Sequence, residues 1–258
     1  MDAQPFHFVN GNSPLSVSPD HILPQDKRPK FNRTPLLSSV PVIDLMEEPC
    51  ALVADKISKA CEEYGFVQII NHGVPRELPT ECWLFSPVSL NSHLKKRLLS
   101  MWSECFARPW HPLDDILHLL PQNPTQYSEV MAEYGEEIYV LMKRLLSLIS
   151  LETKIGVKQA FRAQGNYYPP CPDPELTLGL NVHTDVSALT IVRQSEGVTG
   201  LQVSKMEFGF KSNQSPMHLS STSAIKFRVV TNKSRKQVSM ATFYTPGKDT
   251  RLSVRFGI

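Results

Sequence analysis

His183 and Asp185 stand two residues apart in "NVHTDVSALTI", residues 181–191. An imidazole and a carboxylate together suit a borderline-hard divalent cation. On a β-strand, alternate side chains share a face, so a spacing of two aims both groups the same way. The flanking residues read as such a strand. The pair therefore fits one side of a metal site. It also fits a partly exposed strand with a hydrogen-bonded histidine and an aspartate that starts a turn, because a short H-x-D pattern is a weak motif alone. A metal site needs a further donor, and this stretch does not contain it.

Neighbouring polar residues carry less. In "NYYPPCPDP", residues 166–174, Pro169 and Pro170 impose an extended, turn-like backbone, and a corner between strands accounts for them. Tyr167 and Tyr168 read equally as core or edge aromatics. His72 follows a strand and precedes Gly73, the setting of a loop histidine. Cys171 lies between prolines without a basic neighbour to favour its thiolate, so a nucleophile is not expected there. "TNKSRK" reads as a solvated turn.

The chain has 258 residues, 41% of them apolar and 20% charged, with a net charge of +2. That is ordinary composition for a globular protein with a real core. It gives no electrostatic case for a nucleic-acid or membrane partner. No apolar run approaches the ~18 residues of a bilayer span. The first residues lack the basic and apolar regions of a secretory signal. The five cysteines show no close pairing, which points to a reducing, cytoplasmic setting.

The elements that must carry the pair follow from periodicity. Residues 1–37 are rich in Pro, Ser and Asn and read as an irregular arm. "VPVIDL" is a short β-type run. Leu52, Val53, Ile57, Ala60 and Cys61 then recur at helical spacing, Gly65 stops that helix, and "FVQII" reads as a strand. Residues 82–107 show no clear period. Residues 125–151 predict a long helix with Tyr134, Ile138, Leu141, Leu145, Leu148 and Ile149 on one face. Beyond residue 160 come "RAQGNYY", "LGLNVHTD", "ALTIVRQ", "GLQV", "FRVVTN" and "QVSMATFY", short strands that predict a sandwich or barrel.

Together, "VPVIDL", "ACEEYGFVQIINHGVP", "NYYPPCPDPELTLGLNVHTDVSALTIVRQSEGVTGLQV" and "RVVTNKSRKQVSMATFY" resemble the plant-type iron(II)- and 2-oxoglutarate-dependent dioxygenases, the flavonol synthase and anthocyanidin synthase kind. The resemblance implies an α+β chain: a mostly helical N-terminal domain over residues 38–150, then a double-stranded β-helix (jelly roll) over residues 160–258. It implies Fe(II) held by two histidines and one carboxylate, with 2-oxoglutarate as cosubstrate and ascorbate in support. Such enzymes convert 2-oxoglutarate and dioxygen to succinate and CO2 while oxidising a small molecule, here a plant specialised metabolite. A monomer is expected. Carried over residue by residue, His183 and Asp185 become metal ligands, Asn166 and Tyr168 lie beside 2-oxoglutarate, and Ser239 contacts its distal carboxylate.

Several positions depart from that pattern. Phe227 in "KFRVVTN" stands where the family has its second histidine, and a phenyl ring has no lone pair. Gln237 stands where an arginine pairs with Ser239, so the ionic grip is lost. Arg235, on the same strand face about 7 Å away, offers a strained substitute. His218 is a conceivable third ligand. Residues 206–220, "MEFGFKSNQSPMHLS", show no strand alternation where the family has two core strands. Codons for a family-like "DGVWIQVKPIPNAFI" yield this segment when the first base is dropped. A shifted reading frame and an incomplete jelly roll are therefore expected, with only "RLSVRFGI" after "FYTPGKDT".

Overall fold

The computed structural model describes residues 16–29, 41–75, 101–111, 127–149, 160–195, 197–198, 200–205, 208–211, 217–221 and 226–246. Strand β1 (Val42–Asp44), helix α1 (Cys50–Glu63) and strand β2 (Phe66–Ile70) come first. Strand β3 (Glu104–His111) and helix α2 (Tyr127–Ile149) follow. The rest is β: β4 (Ala160–Tyr168), β5 (Leu180–His183), β6 (Leu189–Gln194), β7 (Leu201–Lys205), β8 (Phe208–Lys211), β9 (Met217–Ser221), β10 (Lys226–Val229) and β11 (Gln237–Thr245).

The two helices form where apolar periodicity predicts them. Helix α1 buries Val53, Ala54, Ile57, Ala60 and Cys61 along one stripe. It ends at Gly65, whose φ of 64° is a left-handed conformation that a side chain would resist. Helix α2 buries Met131, Tyr134, Ile138, Leu141, Met142, Leu145 and Ile149. The Arg144 guanidinium donates to the Leu45 carbonyl and ties α2 to the end of β1.

The strands form two sheets, in the orders β1-β2-β9-β6-β11-β4-β3 and β5-β10-β7-β8. Only β1 and β2 run parallel, joined through α1; the other described pairs are antiparallel. The helices cover the outer face of the larger sheet, on Phe161, Leu189, Ile191, Val238, Met240 and Tyr244. Its inner face meets the smaller sheet through Phe66, Tyr168, Leu201, Val203, Phe227 and Val229. Helices on one side of two facing antiparallel sheets make this the α+β jelly roll that the sequence predicts.

Two expectations are corrected here. Residues 206–220 were expected to lack strands, yet β8 and β9 lie in and just beyond that segment. Strand β9 sits between β2 and β6, and β8 pairs with β7. Short alternations, Phe208-x-Phe210 and Met217-x-Leu219, suffice because neighbouring strands offer unpaired edges. Strand β3 also begins inside residues 82–107, where no period was visible; its cross-strand partner β4 sets it. Leu145 is fully buried where α2 meets the sheet. Leu145→Ala should cost about 2–5 kcal/mol, read as a fall in the urea midpoint with an unchanged m-value.

Candidate active site

Strand alternation decides which side chains enter the space between the sheets. On β11, Val238 and Met240 face the helices, so Gln237 and Ser239 face inward. On β4, Phe161 and Ala163 face the helices, while Tyr168 joins the inner cluster. The antiparallel register sets Gln237 opposite Tyr168 and Ser239 opposite Asn166. On the other flank of β11, Ser239 lies opposite Gln194 of β6. Two motifs about 70 residues apart thus meet because each repeats with the period of a strand.

This cluster is buried and internally hydrogen-bonded. Asn166 Nδ2 donates to Ser239 Oγ at 3.3 Å, and Gln164 Nε2 donates to Asn166 Oδ1 at 2.8 Å. Tyr168 is buried in the same group. Burial holds the Tyr168 hydroxyl far above the ordinary tyrosine range, with the nearby Ser239 hydroxyl acting in the opposite direction. Gln237 Nε2 reaches Gln194 Oε1 at 3.5 Å. Gln194 is a member of this group that the sequence reading missed; only the register reveals it.

His183 and Asp185 come together on the smaller sheet. His183 Nε2 lies 3.6 Å from Asp185 Oδ1. His183 Nδ1 lies 2.8 Å from the Asn181 carbonyl oxygen. A carbonyl only accepts, so Nδ1 is the donor in that contact, and Nε2 is the ring atom that faces the carboxylate. The expectation that both residues sit on one strand is corrected, because β5 ends at His183. Asp185 lies in the irregular segment beyond the strand, so strand alternation does not set its direction.

Phe227 occupies the third side. In the β5–β10 ladder it is directly opposite His183, and the ring centroids are 6.1 Å apart. It is buried against Phe66 at 6.2 Å, edge to face, so the ring is part of the core. Arg235 does not reach inward as the sequence allowed. It is exposed, precedes β11, and its NH1 donates to the Gly197 carbonyl at 3.0 Å. Asn232 Oδ1 accepts the backbone N–H of Arg235 and fixes that turn. His218 lies on β9 of the other sheet, in register with Gln68 and Val192. His72 is a loop residue, its Nδ1 accepting the Val74 N–H at 3.1 Å. Cys171 is wholly buried, and burial pushes its thiol up, away from the nucleophilic thiolate.

Comparison with known proteins agrees with this geometry. Residues 162–246 match the 2OG-Fe(II) oxygenase superfamily, and residues 40–137 match the non-haem dioxygenase in morphine synthesis N-terminal family. Hyoscyamine 6-dioxygenase of Hyoscyamus niger is 31% identical over 93% of this chain and 84% of its own length. Jasmonate-induced oxygenase 2 of Arabidopsis thaliana is 31% identical over 96% of this chain and 83% of its own. The crystal structure of JOX2 in complex with 2OG, Fe, and JA superposes with a TM-score of 0.74 at 25% identity, covering 97% of this chain and 86% of that one. The chain belongs to the 2OG-Fe(II) oxygenase superfamily. Its cofactors by membership are Fe(II) and 2-oxoglutarate, and its reaction class is oxidation of a small molecule with dioxygen.

The residues present fit those cofactors only in part. His183 and Asp185 converge as two donors, and among the described residues no group of three His, Cys, Asp or Glu side chains could hold a metal. Phe227, directly opposite His183, has no donor atom, and Gln237 brings no charge to the buried cluster.

Gly200 is tied to that cluster. A Cβ there would meet Gln237 Oε1 at 1.8 Å and the Val230 carbonyl oxygen at 2.9 Å. Gly200→Ala should expel the Gln237 amide from its seat and destabilise the fold by about 1–3 kcal/mol, measured as a lowered thermal midpoint. Adding Gln237→Ala should recover part of the loss, because it removes the nearer clash.

Proposed function

We propose that this chain is an oxidoreductase of the Fe(II)- and 2-oxoglutarate-dependent class that oxidises a small plant specialised metabolite. His183 and Asp185 are its protein donors to the metal, and Asn166, Tyr168 and Ser239 line the 2-oxo acid site. The observation that carries this reading is the register that seats Asn166 and Tyr168 opposite Ser239 and Gln237, between the same two sheets as His183. Relatives named for hyoscyamine and flavanone support a small organic substrate. Residues 38–150 form the N-terminal domain and residues 160–258 the oxygenase domain of this reading. Among the described residues no helix is long and apolar enough to cross a membrane. A cytoplasmic monomer that binds neither nucleic acid nor membrane completes the proposal.

What this chain's residues do in that role is limited and specific. The His183–Asp185 pair offers one neutral nitrogen and one carboxylate oxygen to a cation. The phenyl ring of Phe227, opposite His183, has no donor atom, so any further ligand to a bound cation would come from outside these side chains. The inner aromatic and aliphatic cluster excludes bulk solvent from the adjoining space.

A second reading has its own observation. Phe227 directly opposite His183 removes a donor, and Gln237 removes a charge, which favours a protein that folds as an oxygenase without turning over. Iron-dependent formation of succinate from 2-oxoglutarate by the purified chain separates the two. The oxygenase reading expects slow but measurable succinate that His183→Ala abolishes. Phe227→His should raise the rate about tenfold or more, since loss of even an outer-sphere partner of a metal site commonly costs 10–100-fold. No succinate from either the natural chain or Phe227→His would establish the second reading.

A further inference from the structure

We infer that the buried amide and hydroxyl cluster around Gln237 selects a 2-oxo acid with an uncharged far end, and disfavours the second carboxylate of 2-oxoglutarate. This rests on the proposed 2-oxo acid site and concerns only the end of it away from His183. Gln237, Gln194, Asn166, Ser239 and Tyr168 are each more than nine-tenths buried. The hydrogen bonds described among them run between amides and a hydroxyl: Asn166 to Ser239 at 3.3 Å and Gln237 to Gln194 at 3.5 Å.

Three arginines on neighbouring segments, Arg235, Arg228 and Arg193, are engaged elsewhere. Arg235 lies at the surface on the Gly197 carbonyl. Arg228 Nε donates to Gln202 Oε1 at 2.7 Å. Arg193 stacks on Tyr134 at the helix side and donates to the Pro75 carbonyl at 3.1 Å. Gln237 itself is seated by the fold, because only a glycine at position 200 leaves room for its amide. The uncharged Gln237 amide is therefore held in this cluster by the backbone at Gly200.

A carboxylate set against this cluster would leave water and gain only neutral partners there, which costs far more than it returns. An amide or hydroxyl end carries no charge to desolvate. It can trade its water hydrogen bonds for Gln237 Nε2, Ser239 Oγ and Asn166 Nδ2 at little net cost. The lost ionic grip then becomes a change of specificity, not simply a loss of affinity.

The test is calorimetric and needs no turnover. The full chain, loaded with Mn(II), is titrated with N-oxalylglycine, which ends in a carboxylate, and with N-oxalylglycinamide, which ends in an amide. The natural chain should bind the amide-ended probe about tenfold more tightly, the size of one charge-assisted hydrogen bond lost. Gln237→Arg should reverse the order, and the near-isosteric Gln237→Glu should widen the preference, a second readout if the arginine disturbs folding. Equal or tighter binding of the carboxylate-ended probe by the natural chain overturns the proposal, as does a ratio that neither variant moves. Binding of neither probe to the natural chain overturns it too. The oxygenase reading falls separately, if neither probe binds the Phe227→His chain either.

Discussion

The register of β11 against β4 is the constraint on which the site depends. Nine consecutive pairs, from Gln237 with Tyr168 to Thr245 with Ala160, leave no freedom to slip. A shift of one residue would turn Ser239 and Gln237 toward the helices and bring Val238 and Met240 inward. The helix-side core forbids this, because Val238, Met240 and Tyr244 are packed against α2 and its neighbours. Apolar burial on one face of the sheet therefore positions polar chemistry on the other. That is why the amide and hydroxyl cluster persists even though its charge has been replaced.

The smaller sheet shows the opposite trade. At the position facing His183, a phenyl ring fills the space and joins Phe66, Tyr168, Leu201, Val203 and Val229. Burying such a ring contributes roughly 2–3 kcal/mol relative to leaving it exposed. A histidine there would lose part of that packing and gain a metal donor. The chain thus holds a more apolar inner core at the expense of coordination, the direction in which stability and activity commonly oppose each other. The consequence is local: the two-sheet fold remains, and among the described residues the proposed metal face has His183 and Asp185 as donors.

Much of this was legible in the sequence, and the limits have physical causes. Helices α1 and α2 and strands β4, β6, β7, β10 and β11 were readable because their apolar residues keep one period for a full element. Asn166, Tyr168 and Ser239 were each singled out from family wording as 2-oxoglutarate neighbours; the structure adds that strand parity sets them on one face of the sheet. Strands β8 and β9 were missed because four or five residues give too few alternations to recognise. They exist because β7, β2 and β6 present edges to pair with. Arg235 was misjudged because Asn232 turns the chain there, two residues before the strand begins. Gln194 and Gly200 left no signal at all, since their roles arise only from cross-strand and inter-loop proximity.

The central claim is that the metal face of this chain carries one imidazole, from His183, beside the carboxylate of Asp185. Pulsed electron paramagnetic resonance of the Mn(II)-loaded chain counts coordinated imidazole nitrogens directly. The account predicts a single coordinated imidazole whose signal disappears in His183→Ala. Two coordinated imidazoles, or one that survives that substitution, would contradict it.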